Sequence, residues 1–229
     1  MKILKVFTLT ALCTAALSQA QEFKSQTYVS ESGRLGYTLS KKAPSEPATG
    51  TQYFIENFNA ARVDDTKELI LARYNAYSDE MELKVDDNNI MVLDPKENTI
   101  VRLTNNMAMY KFTKYTNEDG VASQNYLVVV SETPNVTIYK RERIELQPEQ
   151  HPTGGYQRYK AANYKKLDPE YYIQFNGGPV VYMSDKKKDV YSLVPGKEKE
   201  IKEYVKENRI DPSKDNDLKK LGAYLSTII

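Results

Sequence analysis

Between residues 53 and 146 the chain is interrupted about every ten residues by a cluster of turn-forming side chains. The breaks are Asp86-Asp87-Asn88-Asn89, Asp94-Pro95-Lys96-Glu97-Asn98, Asn105-Asn106, Asn117-Glu118-Asp119-Gly120 and Glu132-Thr133-Pro134-Asn135. Asn, Asp and Gly tolerate the positive φ that tight hairpins require, so these clusters mark reversals by their chemistry. The intervals between them read as strands over 53–58, 69–75, 81–85, 90–93, 100–103, 108–115, 123–130 and 136–146. Short loops between successive strands make antiparallel neighbours, hence a meander. Met81, Leu83 and Val85 alternate with Glu80, Glu82 and Lys84, and Tyr110 and Phe112 with Lys111 and Thr113. One face buried and one wet is the antiparallel expectation, and it sends Glu80 and Glu82 to water.

The pattern fails at 147–168, where Gln147-Pro148-Glu149-Gln150-His151-Pro152-Thr153-Gly154-Gly155 leads into a basic run studded with tyrosine. A connection that long inside a compact domain is functional or mobile. Two more strands follow at 170–175 and 180–184, around Asn176-Gly177-Gly178-Pro179. The remainder reads as helical. A short helix ends at Pro195-Gly196, and Ile201, Tyr204 and Val205 share a stripe. Asp211-Pro212 is a helix-start signal. Leu218, Leu221, Leu225 and Ile228 then occupy one face of a terminal helix. The fold class is therefore α+β: an antiparallel meander, curved or partly closed into a barrel, followed by a small C-terminal helical unit. The expected divisions are a signal peptide at 1–20, an arm and linker at 21–50, a β-rich domain at 51–184 and packed helices at 185–229.

The N-terminus carries the address. Lys2 and Lys5 flank the start of an apolar run to Leu17, and Ser18-Gln19-Ala20 is a small-x-small cleavage site. The run is too short to cross a bilayer, so it predicts export with cleavage after Ala20, to the periplasm or the medium. Cleavage removes Cys13, which the chain does not repeat, and leaves 30 basic against 31 acidic residues. A cysteine-free, nearly neutral chain has no disulfides, no thiolate metal site and no field to gather nucleic acid. No later segment is apolar enough to span a membrane.

The catalytic inventory is short. His151, beside Pro152 in a loop, is the one histidine, and no G-x-S-x-G elbow accompanies it. One histidine excludes H-E-x-x-H zinc chemistry, and no phosphate-binding glycine loop is present. An EF-hand reading of 211–222 fails, because Asn216 stands where glycine is wanted and Gly222 where a bidentate glutamate is needed. No cofactor and no metal are expected. Carboxylate chemistry needs only two acids at a set separation, and the richest local cluster is Asp79, Glu80 and Glu82. If the segment is extended, Tyr77 and Asp79 share the parity of Met81, and an inward Asp79 calls for a bidentate partner, Arg73 or Arg102. A second candidate surface is Tyr156, Arg158 and Tyr159 in the basic run, suited to a polyanionic glycan or a protein partner. The 18 tyrosines, with no tryptophan, suit half-buried sheet faces better than a sugar-stacking platform.

The stretch Arg73-Tyr74-Asn75-Ala76-Tyr77-Ser78-Asp79-Glu80-Met81-Glu82, the meander after it, and Ser184–Leu193 with its lysine-rich tail resemble uncharacterised exported proteins of Gram-negative bacteria. The resemblance covers most of residues 50–229, implies an envelope address and carries no catalytic residue. Missing catalytic groups, export and tyrosine richness together predict a non-enzymatic envelope or secreted binding protein whose ligand or protein partner is unknown. The alternatives are a carboxylate-dependent hydrolase of an envelope polymer, using Asp79, and a purely structural envelope component.

Overall fold

The computed structural model describes residues 26–29, 35–43, 45, 47–105, 108–152, 154 and 157–229, with side chains of strand residues from Thr38 onward. Residues 1–20, the expected signal peptide, with Cys13, and Tyr156 lie outside the described residues. Strand β1 (Gln26–Val29) pairs with β2 (Leu35–Lys41). Next come β3 (Asn59–Val63), β4 (Ile70–Asn75), β5 (Glu80–Asp86) and β6 (Asn89–Asp94), in which β4, β5 and β6 each pair antiparallel with the strand before. β2 adds to the free side of β6. β7 (Ile100–Leu103) crosses back to pair with β3, and β8 (Met109–Thr116), β9 (Ala122–Glu132) and β10 (Val136–Arg141) follow as antiparallel neighbours. β11 (Ile144–Gln147) and β12 (Asn163–Lys166) form a separate ribbon. β13 (Glu170–Phe175) lies against β10, and β14 (Val180–Met183) against β13. Val181 of β14 then meets Thr116 of β8 in parallel. Strands β8, β9, β10, β13 and β14 thereby form a partly closed barrel at one end of a 12-stranded sheet.

The chain enters the sheet earlier than the composition of 21–50 suggests: β2 pairs with β6, and Leu39 has no exposed surface. Residues 53–58 are not a strand. Tyr53 makes a single bridge to Asn75, and the strand proper is β3, whose Asn-Ala-Ala start gives little β signal. The expected strand 136–146 divides at Glu142-Arg143 into β10 and β11. The long connection at 147–168 contains β12.

Three cores hold the molecule together. The curled sheet buries Met81, Leu83, Tyr74, Val101, Tyr110 and Tyr126 on its inner face. Alternate residues of the barrel strands divide between the other two. Ile138 and Ile173 face a cluster with the C-terminal helices, whereas Tyr139 and Tyr172, opposed in register, lie on the other face with Tyr115 and Leu127. The tyrosines there fill volume with their rings and tie off their tips. Tyr139 donates to Gln174 Oε1 at 2.8 Å, Tyr115 to Asn125 Oδ1 at 2.8 Å and Tyr172 to Glu170 Oε2 at 2.7 Å.

The helices are α1 (Lys187–Val190), α2 (Glu198–Glu207) and α3 (Asp215–Ile228). Leu218, Leu221 and Leu225 of α3 are fully buried against the barrel, as their spacing predicts. Pro212 stands before α3 rather than in its first turn, within a turn where Asp211 accepts from the Ser213 backbone and hydroxyl. Among the described residues, no helix is long and apolar enough to cross a membrane.

α3 approaches β9 and β10 most closely at Gly222. A Cβ there would lie 2.7 Å from Ser131 Oγ, 3.2 Å from Ser131 Cβ and 3.3 Å from Ile138 Cδ1. Alanine improves helix propensity by about 1 kcal/mol, but overpacking a core contact costs roughly 1–3 kcal/mol. Gly222→Ala is expected to lower stability by about 1 kcal/mol, and Gly222→Val by more. Urea denaturation checks this; an alanine variant more stable than the parent would show that the helix can shift outward at no cost.

Candidate functional site

Two charged clusters flank β4 and β5, and adjacent residues of one strand send them to opposite faces. Arg73 points outward and Tyr74 inward. On the outer face Arg73 is paired in register with Glu82. Glu82, expected in water, is fully buried. The reason is that Lys42, Tyr53 and Phe58 lie over this face. Lys42 and Arg73 form ion pairs with Glu82, the Arg73 Nε at 2.9 Å. Tyr53 donates its hydroxyl to Glu82 at 2.9 Å, and Asn75 adds its amide at 3.0 Å. The Arg73 guanidinium sits 4.0 Å from the Tyr53 ring centroid and 4.3 Å from that of Phe58. Burial works to raise the Glu82 carboxyl, but the Lys42, Asn75 and Arg73 hydrogen bonds outweigh it and hold the group below the usual carboxylate range. All three Arg73 nitrogens have acceptors: Nε on Glu82, Nη1 on the Glu56 carbonyl at 3.1 Å and Nη2 on the Tyr53 hydroxyl at 2.9 Å.

A carboxyl held low contributes stability above its unfolded value, and that contribution is lost as the pH falls through the folded value. Glu82→Gln leaves Lys42 and Arg73 without a counter-charge and is expected to cost roughly 2–4 kcal/mol at neutral pH. The difference from the parent should shrink as the pH falls into the acid range. Denaturation at several pH values checks it; a difference that is independent of pH would assign the loss to shape rather than charge.

On the inner face the β4–β5 turn builds a different cluster. The Asn75 side-chain oxygen accepts from the Tyr77 and Ser78 backbone amides at 3.1 Å each, closing the turn. Asp79 then takes φ +59°, a left-handed conformation that Asp tolerates better than most residues. Its carboxylate swings beneath the sheet. Oδ1 accepts from the Tyr74 hydroxyl at 2.7 Å and from the Tyr126 backbone amide of β9 at 3.2 Å. Oδ2 is buried with no hydrogen-bond partner among the described residues. Arg141 Nη2, at the end of β10, is 3.8 Å from it.

The row continues across the barrel strands. Arg141 stands opposite Glu170 in register, with Nη1 3.7 Å from Glu170 Oε2 and its guanidinium 5.7 Å from the Tyr115 ring centroid. Glu170 Oε1 is 2.7 Å from Arg143 Nη2. The Nε of Arg141 and the Nε of Arg143 are buried without a hydrogen-bond partner among the described residues. Acid and base thus alternate as Asp79, Arg141, Glu170, Arg143. Exposures of 16–36% keep these four side chains in reach of solvent. Burial pushes the Asp79 carboxyl up, and Tyr74, the Tyr126 amide, Arg141 and the Asn125 side chain offset this only in part. Burial works against the Arg141 charge, but Tyr115, Asp79 and Glu170 outweigh it and hold the guanidinium firmly protonated.

Of the residues singled out in the sequence, Asp79 alone belongs to this row. Arg73 is on the opposite face, and Arg102 is exposed, reaching the Asp64 carbonyl at 3.4 Å. Tyr77 is half-buried with its ring 5.0 Å from that of Tyr164. Arg158 is exposed. Tyr159 donates to Glu149 at 2.9 Å beside His151, on the segment where Gln150 bridges Lys160. Arg141, Arg143 and Glu170 were not anticipated. The available signal was parity: Arg141 follows Tyr139 by two residues, so it shares the face of a buried aromatic.

Among the described residues, no group of three or more His, Cys, Asp or Glu is arranged to hold a metal ion. No family model, no curated protein and no solved structure matches this chain.

Asparagine suits both the turn and the two donors at Asp79. A carboxyl held high contributes stability that is complete below its unfolded value and lost as the pH rises through the folded value. Asp79→Asn is therefore expected to gain on the parent as the pH is raised from acid to neutral. Denaturation midpoints across that range check the sign, and a gain at acid pH only would reverse it.

Proposed function

We propose that this chain is an exported, non-enzymatic binding protein of the bacterial envelope or its surroundings, with Asp79, Arg141, Glu170 and Arg143 as its ligand site. The observation that carries the reading is the state of Arg141. Its guanidinium is largely buried, its contacts to two carboxylates are 3.7 and 3.8 Å, and its Nε has no partner among the described residues. A hydrogen bond to a charged group needs about 2.7–2.9 Å. Donors kept buried yet unengaged are costly unless something occupies them. The Glu82 cluster supports the same reading by contrast, because there both carboxylate oxygens and all three Arg73 nitrogens are hydrogen-bonded.

The hydrolase alternative has a specific difficulty. Asp79 and Glu170 do approach one another, but the Arg141 guanidinium occupies the space between them, where a scissile bond and its water would have to sit. A purely structural part would have the same saturation as the Glu82 network. The address rests on the cationic and apolar segment ending at Ala20, and the fold supporting the site is a meander that closes on itself at β8.

The test is to express the chain with its own leader, identify the mature N-terminus, expected at Gln21, and screen the product by thermal shift. The screen covers lipids, glycans and envelope extracts. A component that raises the melting temperature of the parent but not of Arg141→Met supports the reading. Retention in the cytoplasm with an intact leader overturns the address, and no shift with any fraction overturns the binding role.

A further inference from the structure

We infer that this chain associates with further copies of itself, the outer face of β3, β4 and β7 on one copy seating against the β8–β9 turn and β14 of the next. The inference is independent of the Asp79 row. It starts from apolar side chains left at the surface. Leu69 and Leu71 are 56% and 42% exposed, and Val121 and Val181 56% and 40%. The first pair lies beside arginines and the second beside acids, and neither set of charges makes an ion pair among the described residues.

Leu71 stands opposite Ala60 in register, and two residues along β3 Arg62 stands directly opposite Arg102 of β7, which in turn pairs with Met109 of β8. Ala60, Arg62, Leu71 and Arg102 alternate with the buried Ala61, Val63, Ala72 and Val101, so they share the outer face. Both arginines are exposed, and like charges directly opposed across a strand pair repel. A carboxylate seated between them relieves that repulsion. The other patch lies at the far end of β8. Val181 meets Thr116, Thr116 pairs with Ala122, and Val121 immediately precedes Ala122. Glu118 and Asp119 in the turn and Asp185 after β14 are exposed. Burial first, and then Glu118, Asp185, Glu170 and Asp189, raise the hydroxyl of Tyr182, the neighbour of Val181. The lysines at 186–188 follow Asp185, so the negative charge is concentrated at the turn and the end of β14.

Each patch carries the charge that the other lacks, beside apolar side chains of its own, and this complementarity is the reason to assign a second copy as the partner. Met109 and Thr116 are seven positions apart, about 23 Å along an extended strand, too far for one copy to join its own two patches. Two patches of the same sign repel, so the contact joins unlike ones. An anionic membrane or another extended polyanion is a poorer fit to the arginines, because Asp64, Asp65 and Glu68 follow Arg62 at the surface and break up the positive field.

The test is sedimentation velocity of the mature exported chain at rising concentration, where the parent is expected to associate, and to do so less in high salt. Arg62→Gln/Arg102→Gln neutralises one patch and Glu118→Gln/Asp119→Asn the other. Each variant is expected to associate at least tenfold more weakly. An equimolar mixture of the two is expected to restore association, because the intact acidic patch of one meets the intact basic patch of the other. Leu71→Ser and Val181→Ser, which leave the charges alone, are expected to weaken association too, so a folding defect in one variant leaves another to decide. A parent that stays monomeric up to about 1 mM overturns the inference. So does association that either neutralised variant leaves unchanged, or that the mixture fails to restore. None of these outcomes bears on the ligand site.

Discussion

A strand has two edges of hydrogen-bonding groups, and β8 divides one of its edges between two partners. Its first residues pair with β7, and its last, Thr116, meets β14. Its other edge is taken from Tyr110 to Thr116 by β9. Strands β2 to β7 curl around the first core, which Tyr126, Ile144 and Tyr164 also join, whereas β9, β10, β13 and β14 roll with β8 into the barrel that carries the helices. The Asp79 row lies where the two regimes meet. The acid comes from the β4–β5 turn, its amide donor from β9, and the arginines and second acid from the ends of β10 and β13.

The two charged clusters answer the same physical problem in different ways. A buried carboxylate must be matched in charge and in hydrogen bonds. Glu82 achieves both, with Lys42, Arg73, Tyr53 and Asn75 around it. Asp79 has its charge opposed but only one of its oxygens engaged. The opposite shifts of the two carboxyls, Glu82 down and Asp79 up, are the electrostatic record of that difference. One cluster ties Lys42, Tyr53 and Phe58 to the sheet, and the other leaves buried donors and an acceptor without hydrogen-bond partners among the described residues.

Much of the scaffold was legible in one dimension. Turn chemistry located β4 to β9, and the start of β10, to within a residue or two, and the leucine stripe of α3 identified its buried face. The misses share a cause. β3 was overlooked because Asn59, Ala60 and Ala61 give weak strand signal, and Ala61 earns its place only through burial against Val101 and Leu103 across the β3–β7 pairing. Glu82 was sent to water because alternation describes one strand and says nothing of what covers its far face. Arg73 or Arg102 was expected beside Asp79, but Arg73 points to the opposite face of β4 from Tyr74 and Arg102 is exposed.

The sequence by itself determined the local grammar: where the chain reverses, which residues of a strand share a face, which helix face is apolar, and which catalytic chemistries lack their residues. These depend on near neighbours and on composition, and they can be read without knowing the fold. The tertiary structure alone decided which charges meet. Arg141 is 62 positions from Asp79 and Glu170 a further 29 beyond it, and their meeting depends on strand order and on the closure at β8. Pairing across such separations is a property of the whole sheet, because each added strand sets the position of the next.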